Sequence, residues 1–176
     1  MALDGVLLGA ERSRYVALIP ETPEVYPMLT VWEHLVFVAK SCRLGPSWHA
    51  RADELLARLE LDDQRDTLGE ALSKGTRQKT LIACTVLAEA PVLLLDEPMI
   101  GLDPKGQREL RSILVELRGQ RTAIILSTHL LESAEAICDQ VLMMKKGRAV
   151  IDAPIEQLRF GDQGRSLEDV FLEVTQ

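Results

Sequence analysis

The spacing of apolar residues divides the chain into a mostly helical stretch and a following stretch in which strands and helices alternate. Between residues 31 and 90, apolar side chains recur at the three- and four-residue intervals of one helix face, for example at Ala52, Leu55, Leu56 and Leu59. Thr30 can cap the first helix, and the last, over residues 77–90, ends at Pro91. The pattern therefore predicts a helical region over about residues 31–90.

Short apolar runs predict the strands. Tyr15–Ile19 is one such run and stops at Pro20, and the Pro-rich segment 20–30 that follows predicts an ordered loop. Val92–Leu95 and Ala123–Leu126 show no polar alternation, which is typical of parallel strands buried on both faces. We therefore expect both of these strands to be covered on each side.

The remaining elements complete an alternating order. A helix is expected to begin at Asp103 and Pro104, as cap and first turn, and another follows His129. Val141–Met144 and Ala149–Ile151 flank a KKGR turn and predict a hairpin. Strand–helix alternation predicts an α/β sheet layered with helices, whose ligand site lies at the carboxyl ends of the strands.

Composition narrows the class of protein. The 176 residues are 47% hydrophobic and 27% charged, as in one ordinary globular domain, and the net charge of −7 argues against a nucleic-acid partner. The three cysteines are widely spaced and do not form a disulfide or zinc pattern. There is no apolar run of membrane-spanning length and no signal-peptide pattern. His34 and His49 are expected to be surface residues.

Asp96 and Glu97 are the strongest candidates for chemistry. They are adjacent at the end of a predicted strand, so their side chains point to opposite faces. One can reach a magnesium ion while the other faces an attacking water, and phosphoryl transfer needs both functions. A solvated acidic pair is the alternative, but VLLL before the pair and GLDP just after it favour a phosphate site.

Other residues fit the same site, and each also has an ordinary structural explanation. Ser73 and Gly75 begin a predicted helix, whose amino terminus either binds a phosphate or is simply capped. His129 can donate a hydrogen bond to a phosphate oxygen or can bind its own backbone. Glu21 can reach a metal ion or its water, or can be a surface acid.

Taken in order, these segments resemble the ATP-binding subunit of ABC transporters. VLLLDEP resembles the Walker B segment, GLDP the D-loop, and LSKGTRQKTLIACTVLA the signature segment. ILSTHLLESAEAICDQVLMMKKGRAV resembles the switch-histidine region, and ALIPETPEVYPMLTVWEHL the Q-loop entering the helical subdomain. The ending SLEDVFLEVT resembles that of the exporter-type branch. The resemblance runs from about residue 15 to the end of the chain.

The resemblance implies a P-loop NTPase-like ABC ATPase core with a helical subdomain, and it assigns roles around the chain's own ATP. Asp96 would help to place Mg²⁺, Glu97 would be the general base, and His129 would touch the γ-phosphate. Glu21 stands where the Q-loop usually has glutamine, and would add negative charge beside the metal.

The resemblance also implies partners. Ser73 and Gly75 would bind the γ-phosphate of ATP held by a second ATP-binding subunit, to which Asp103 would bridge. Residues 22–60 would press against a transmembrane permease, which places the chain in the cytoplasm at the inner face of the cell membrane. The implied division is 1–21, remnant core strands and Q-loop start; 22–90, helical subdomain; 91–152, catalytic core; and 153–176, tail.

The sequence departs from the family in its signature and in its phosphate loop. The commonest signature is LSGGQ, and here Lys74 and Thr76 replace glycine and glutamine. The loop G-x-x-x-x-G-K-[ST] is absent, and no lysine precedes residue 40. We therefore expect an incomplete core that lacks the first strand and the phosphate-loop helix. A sheet edge and apolar surface would then be open, and solubility would be low.

Two functions follow as hypotheses. In the first, the chain is an ATP-binding and ATP-hydrolysing subunit that powers export, but binds Mg-ATP weakly and is inactive by itself without its phosphate loop. In the second, it is a non-catalytic binding module that supplies only its signature segment to a complete partner subunit. Whether this chain is an enzyme is left open by its sequence.

Overall fold

The computed structural model describes residues 2–3, 6–7, 15–159 and 167–175. The chain divides into two compact units, Met1–Ser127 and Thr128–Gln176. Each unit is described by itself below. The four-segment division expected from the sequence stays a prediction.

The described residues of the first unit form a parallel sheet and four α-helices. Its strands are β1 (Ala2–Leu3), β2 (Val6–Leu7), β3 (Val16–Ile19), β4 (Val92–Asp96) and β5 (Ala123–Ser127). Its helices are α1 (Val31–Ser41), α2 (Trp48–Arg58), α3 (Lys74–Leu87) and α4 (Pro104–Gly119), with short 3-10 helices at Asp62–Gln64 and Gly69–Ala71. β1 and β2 form a two-stranded antiparallel pair, and the other expected strand positions before residue 15 lie outside the described residues.

The main sheet has the order β3-β4-β5, with both pairs parallel, which confirms the predicted α/β class. Leu93 and Leu95 are buried under the helical layer, in which α3 contacts β3 and α4 contacts β5. The expectation that β4 and β5 are buried on both faces is wrong, since Ile125 of β5 is 65% exposed and Val92 and Leu94 of β4 are only half-buried. Ala123, Ile125 and Ser127 of β5 are exposed and alternate with half-buried residues, so one face of this strand is open to solvent.

Local sequence signals account for the helices. Thr30 and Glu33 form a reciprocal capping box at the start of α1. The helix predicted at residues 77–90 runs instead from Lys74 to Leu87, because Ser73 caps it three residues earlier. The predicted apolar face of α2 is confirmed, since Ala52, Leu55, Leu56 and Leu59 are all buried. Each such leucine contributes about 1.5–3 kcal/mol by leaving water.

The two tryptophans of the chain lie close together in the helical region. Trp32 and Trp48 lie with their ring centroids 5.4 Å apart, and His49 stacks on Trp48 at 3.8 Å. The guanidinium carbon of Arg65 lies 3.6 Å from the centroid of Trp32, a cation–π contact. His49 is exposed, as expected, but the expectation that His34 is a surface residue is wrong, since only 5% of it is exposed. The loop before α1 folds back over His34 and covers it, as its hydrogen bond to Tyr26 shows.

The described residues of the second unit form a hairpin and three short helices. Its elements are α5 (Leu131–Ile137), β6 (Gln140–Lys145), β7 (Arg148–Pro154), α6 (Ile155–Arg159) and α7 (Leu167–Thr175). The predicted hairpin is confirmed, with Lys146 and Gly147 at positive φ in its turn. Ala134, Met143 and Leu167 form its buried cluster. Among the described residues, no helix is both long enough and apolar enough to cross a membrane.

Candidate functional site

The two adjacent acids lie where β4 ends, as the sequence predicts. Asp96 is the last residue of β4, is exposed, and pairs in register with Ser127, whose hydroxyl donates to its carboxylate. Glu97 follows with φ of 46°, a left-handed conformation that costs a glutamate on the order of 1 kcal/mol. Its N–H donates to the Ser127 carbonyl oxygen at 3.0 Å, which holds the backbone in this conformation. The chain therefore turns sharply between the two carboxylates.

The loop that follows, residues 97–103, is held by the amides of two glutamines. Nε2 of Gln78, on α3, donates to the Pro98 carbonyl oxygen at 3.0 Å. Nε2 of Gln107, on α4, lies 3.4 Å from the Met99 carbonyl oxygen and 3.3 Å from that of Leu102. Met99 is fully buried beneath the loop. Backbone carbonyls and one buried side chain thus fix the segment that carries Glu97.

The predicted helix start at Ser73 lies directly against this loop. Ser73 caps α3, with its hydroxyl oxygen accepting from the Thr76 N–H at 3.1 Å. A Cβ atom at Gly75 would lie 2.8 Å from the Gly101 carbonyl oxygen. Gly75 is therefore needed for an approach of two backbones within this chain, whether or not a ligand also approaches it. The contact brings Ser73 and Gly75 together with the loop after Glu97.

Asp103 takes the predicted N-cap position before Pro104, the first residue of α4, but its side chain makes no capping hydrogen bond. Its carboxylate instead lies 3.3 Å from Nζ of Lys79, on α3. Desolvation raises the pKa of Asp103, but the hydrogen bond and charge of Lys79 outweigh it, and the net pKa is lowered. Lys79 is also 3.8 Å from Glu60, so it bridges two acids. Asp103 is thus ionised and pulled toward α3 within its own chain.

The last two predicted site residues differ in their placement. Glu21 is exposed and comes two residues after Ile19, which ends β3 and pairs with Leu95. Since β3 and β4 are parallel neighbours, Glu21 follows a strand end at the same edge of the sheet as Asp96. His129 is exposed and lies in the second unit, two residues after the end of β5.

Sequence reasoning missed four residues that organise this site: Gln78, Lys79, Gln107 and Ser127. Gln78 precedes the buried Ile82 by four residues, a helical spacing that marks it as facing inward. Gln107 lies in the first turn of α4, where a side chain can reach back to the preceding loop. The contacts of Lys79 and Ser127 join distant segments and leave no local signal.

The chemistry of the site suits a hard cation and phosphate oxygens. The Asp96 carboxylate and the Ser127 hydroxyl offer oxygen ligands, which Mg²⁺ prefers, together with water and substrate phosphates. Within the described parts of the chain, no group of three or more His, Cys, Asp or Glu residues could hold a metal ion. The Asp96 carboxylate and the Ser127 hydroxyl fit a magnesium ion whose other ligands are water and phosphate oxygens.

A cavity of about 450 Å³ lies elsewhere in the first unit. Its lining includes Pro91, Thr122 and Leu93, at the amino ends of β4 and β5. The candidate acids lie at the carboxyl ends of the strands, so this cavity is not their site.

Comparison with known proteins agrees with this geometry. The family model described as ABC transporter matches residues 9–100. The ABC-type transporter ATP-binding protein EcsA of Bacillus subtilis strain 168 is 33% identical over 160 residues, 89% of this chain and 65% of that protein. The uncharacterized ABC transporter ATP-binding protein YthP of the same strain is 34% identical over 163 residues, 91% of this chain and 69% of that protein.

A solved structure, described as that of an ATP binding subunit of an ABC transporter, superimposes with a TM-score of 0.90 at 33% identity. The match covers 99% of this chain and 75% of that one. The chain thus spans 65% of the length of EcsA, so its relatives extend beyond the matched region. Sequence and fold together show that this chain belongs to the ABC transporter family, among its ATP-binding proteins.

Proposed function

We propose that this chain acts as the ATP-binding part of an ABC transporter and powers export through a membrane permease. The observation that supports this most is the contact between Gly75 and the Gly101 carbonyl oxygen. It joins the helix start at Ser73 to the loop that carries Glu97, so one chain has the means to serve two nucleotides. Export, rather than import, is favoured by the resemblance of SLEDVFLEVT to the exporter-type branch.

On its own nucleotide, the chain would act through the edge of the sheet where β3 and β4 end. Asp96 would hold Mg²⁺, which when bound neutralises charge on the phosphates. Glu97 would accept the proton of the attacking water, because the turn at φ 46° separates its carboxylate from that of Asp96. Glu21 would orient the water or a metal ligand, and His129 would donate to the γ-phosphate.

On a partner's nucleotide, the chain would act through the start of α3. This helix has 14 residues, and its amino-terminal N–H groups and positive dipole end favour a phosphate. Ser73 is exposed there, and Gly75 keeps the backbone accessible. Asp103 would bridge to the second subunit after leaving Lys79. The proposed assembly is a homodimer or heterodimer of ATP-binding subunits.

The permease would dock on the loop before α1. Tyr26 is 57% and Met28 is 73% exposed, and Phe37 on α1 is 49% exposed beside them. Tyr26 and Phe37 meet edge to face, with ring centroids 5.5 Å apart. Exposed apolar side chains on a well-ordered loop favour an apolar partner surface, such as a short helix of a transmembrane subunit. We call Val25–Leu29 the docking loop.

The 176 residues contain no phosphate-loop motif, so we propose that this polypeptide by itself binds Mg-ATP weakly and does not hydrolyse it. Calorimetry of the purified chain with Mg-ATP checks this, and saturable micromolar binding would refute it. Adding complete EcsA distinguishes the two functions. A module that only supplies Ser73 and Gly75 takes up ATP solely in the presence of EcsA.

A chimera tests the residue roles directly. This chain replaces the segment of EcsA that it matches, and the ATP hydrolysis of the resulting chimera is measured. We expect Glu97→Gln to lower the rate about 100-fold or more while ATP still binds, because only the general base is lost. The matched control is Glu89→Gln, which changes an exposed acid at the far end of α3. An equal rate for Glu97→Gln and the control would remove Glu97 from the mechanism.

A further inference from the structure

His34, on α1, is buried and makes a hydrogen bond with the docking loop. Its ring nitrogens take part in two hydrogen bonds, one with the Tyr26 N–H at 2.9 Å from Nε2 and one with the Thr30 carbonyl oxygen at 2.7 Å from Nδ1. Because a backbone N–H can only donate, Nε2 must be unprotonated. Because a carbonyl oxygen can only accept, Nδ1 must carry the proton. The contacts therefore admit one form of His34, the neutral Nδ1–H tautomer.

Tyr26 is the loop residue that depends most on this histidine. Its N–H is held by Nε2, and its ring stacks on the His34 ring with centroids 5.9 Å apart. The rest of the loop is held by backbone bonds, from Gly69 N–H to the Leu29 oxygen at 2.8 Å and from Glu70 N–H to the Pro27 oxygen at 3.1 Å. His34 is thus the side chain that fixes the exposed Tyr26 within an otherwise backbone-bonded loop.

We propose that His34 is a protonation-sensitive positioning residue, which holds Tyr26 in its docking position only while the imidazole is neutral. An imidazolium carries N–H on both nitrogens, so Nε2 can no longer accept from Tyr26. Two N–H groups would then face each other at the former hydrogen-bond distance, and the bond must open. Lowering the pH releases Tyr26 and loosens the loop, which weakens docking. We call the hydrogen bond from the Tyr26 N–H to Nε2 of neutral His34 the latch. The weakening of docking rests on the proposed function, whereas the latch itself does not.

Among the described residues, the partner of Nε2 is the Tyr26 N–H, and the carboxylate next to His34 in sequence already accepts from another donor. The nearest carboxylate along α1, Glu33, is committed to the Thr30 N–H at 2.8 Å. Arg77 donates to the Glu70 carbonyl oxygen, so it braces the 3-10 helix beneath the loop. The titratable and charged residues on α1, on α3 and on the loops bonded to them are Glu21, Glu24, Tyr26, Glu33, Lys40, Arg65, Asp66, Glu70, Lys74, Arg77, Lys79 and Cys84.

Two measurements on the unmodified 176-residue chain test the latch. Nitrogen-15 NMR of the histidine rings reports the tautomer, and we expect His34 in the Nδ1–H form at neutral pH. Amide exchange of Tyr26, expressed as a protection factor against an unstructured peptide, is then followed as the pH falls. We expect protection to be about tenfold lower where the nitrogen-15 spectrum shows the His34 imidazolium, which corresponds to the loss of one hydrogen bond.

Two variants make the test specific. His34→Gln keeps a donor and an acceptor without titrating, so the Tyr26 protection factor should become independent of pH. His49→Gln, at an exposed histidine, should leave the pH dependence as it is in the unmodified chain. An Nε2–H tautomer, or constant Tyr26 protection while His34 titrates, overturns the proposal. Neither readout involves ATP or a permease, so failure of the latch would not be confused with failure of the proposed function.

Discussion

Replacing Gly75 by alanine tests whether the contact between α3 and the loop after Glu97 is as close as described. The added Cβ would lie 2.8 Å from the Gly101 carbonyl oxygen, well inside ordinary van der Waals contact. That oxygen belongs to backbone at φ 83°, on a loop whose neighbouring carbonyls are held by Gln78 and Gln107. The loop cannot yield by a side-chain rotation, so either the loop or the first turn of α3 must move.

Two effects of opposite sign set the expected magnitude. Alanine is favoured over glycine by about 1 kcal/mol inside a helix, and by less in the first turn. Forcing an extra methyl group into a packed contact costs about 1–3 kcal/mol. We therefore expect Gly75→Ala to lower the free energy of unfolding by about 1–2 kcal/mol, or about 2–8 °C in Tm for a chain of this size.

Gly119→Ala is the matched control. It lies at the end of α4, and an added Cβ meets nothing within 4 Å, so we expect a gain of up to about 1 kcal/mol. Urea unfolding followed by tryptophan emission measures both variants, since Trp32 and Trp48 lie in the same unit as the two glycines. If Gly75→Ala is as stable as Gly119→Ala, the backbones at Gly75 and Gly101 do not approach as closely as described, and Gly75 is not needed for that contact.

Three further predictions concern single side chains. The hydrogen bond from Arg58 lowers the pKa of Glu116 below its ordinary 4.5, so the pair stabilises the fold above that pH and the stabilisation is lost as pH falls through the lowered value. Glu116→Gln should reduce the fall in the free energy of unfolding on the acid side of its pH profile. An unchanged profile would show that the Arg58–Glu116 pair does not stabilise the fold. Gln78→Glu should destabilise by about 3 kcal/mol or more at neutral pH, because a buried carboxylate would face the Pro98 carbonyl oxygen. Urea titration should show partial recovery at low pH, where the protonated acid can donate; equal loss at every pH would contradict this. Burial raises the pKa of the Cys84 thiol to about 12, so it should react with a thiol reagent at neutral pH only on unfolding, after the two half-buried cysteines. Peptide mass spectrometry measures the labelling of each cysteine. Labelling of Cys84 as fast as that of Cys42 and Cys138 would refute its burial.

Local signals made part of this structure predictable. Thr30 and Glu33 are three residues apart and form a capping box at the start of α1. Their spacing in the sequence is therefore sufficient to predict where this helix begins. The apolar run before Asp96 likewise predicts β4 and the position of its acid. The exposure of Ile125 was not predictable in this way, because it depends on which faces of the sheet the helices cover.

Contacts between distant segments explain the other errors. His34 is buried because the preceding loop folds over it. A single histidine has no sequence pattern from which this burial could be predicted. Asp103 takes the N-cap position that its sequence predicts, but its carboxylate pairs with Lys79 on another helix. The left-handed φ of Glu97 is imposed by its bond to Ser127 on the neighbouring strand. Each of these depends on tertiary structure that the local sequence does not encode.

The sheet order has a consequence for how the first unit folds. β3 and β4 are neighbours, with Ile19 beside Leu95, yet the whole helical region lies between them in the chain. Closing an unstructured segment of that length costs about 4 kcal/mol of entropy before any strand contact forms. Helix α3 contacts both α1 and α2. Early packing of these helices would bring the ends of β3 and β4 closer together before the two strands pair. Helix-weakening substitutions in this region should therefore slow the assembly of the sheet, even where they touch none of its residues.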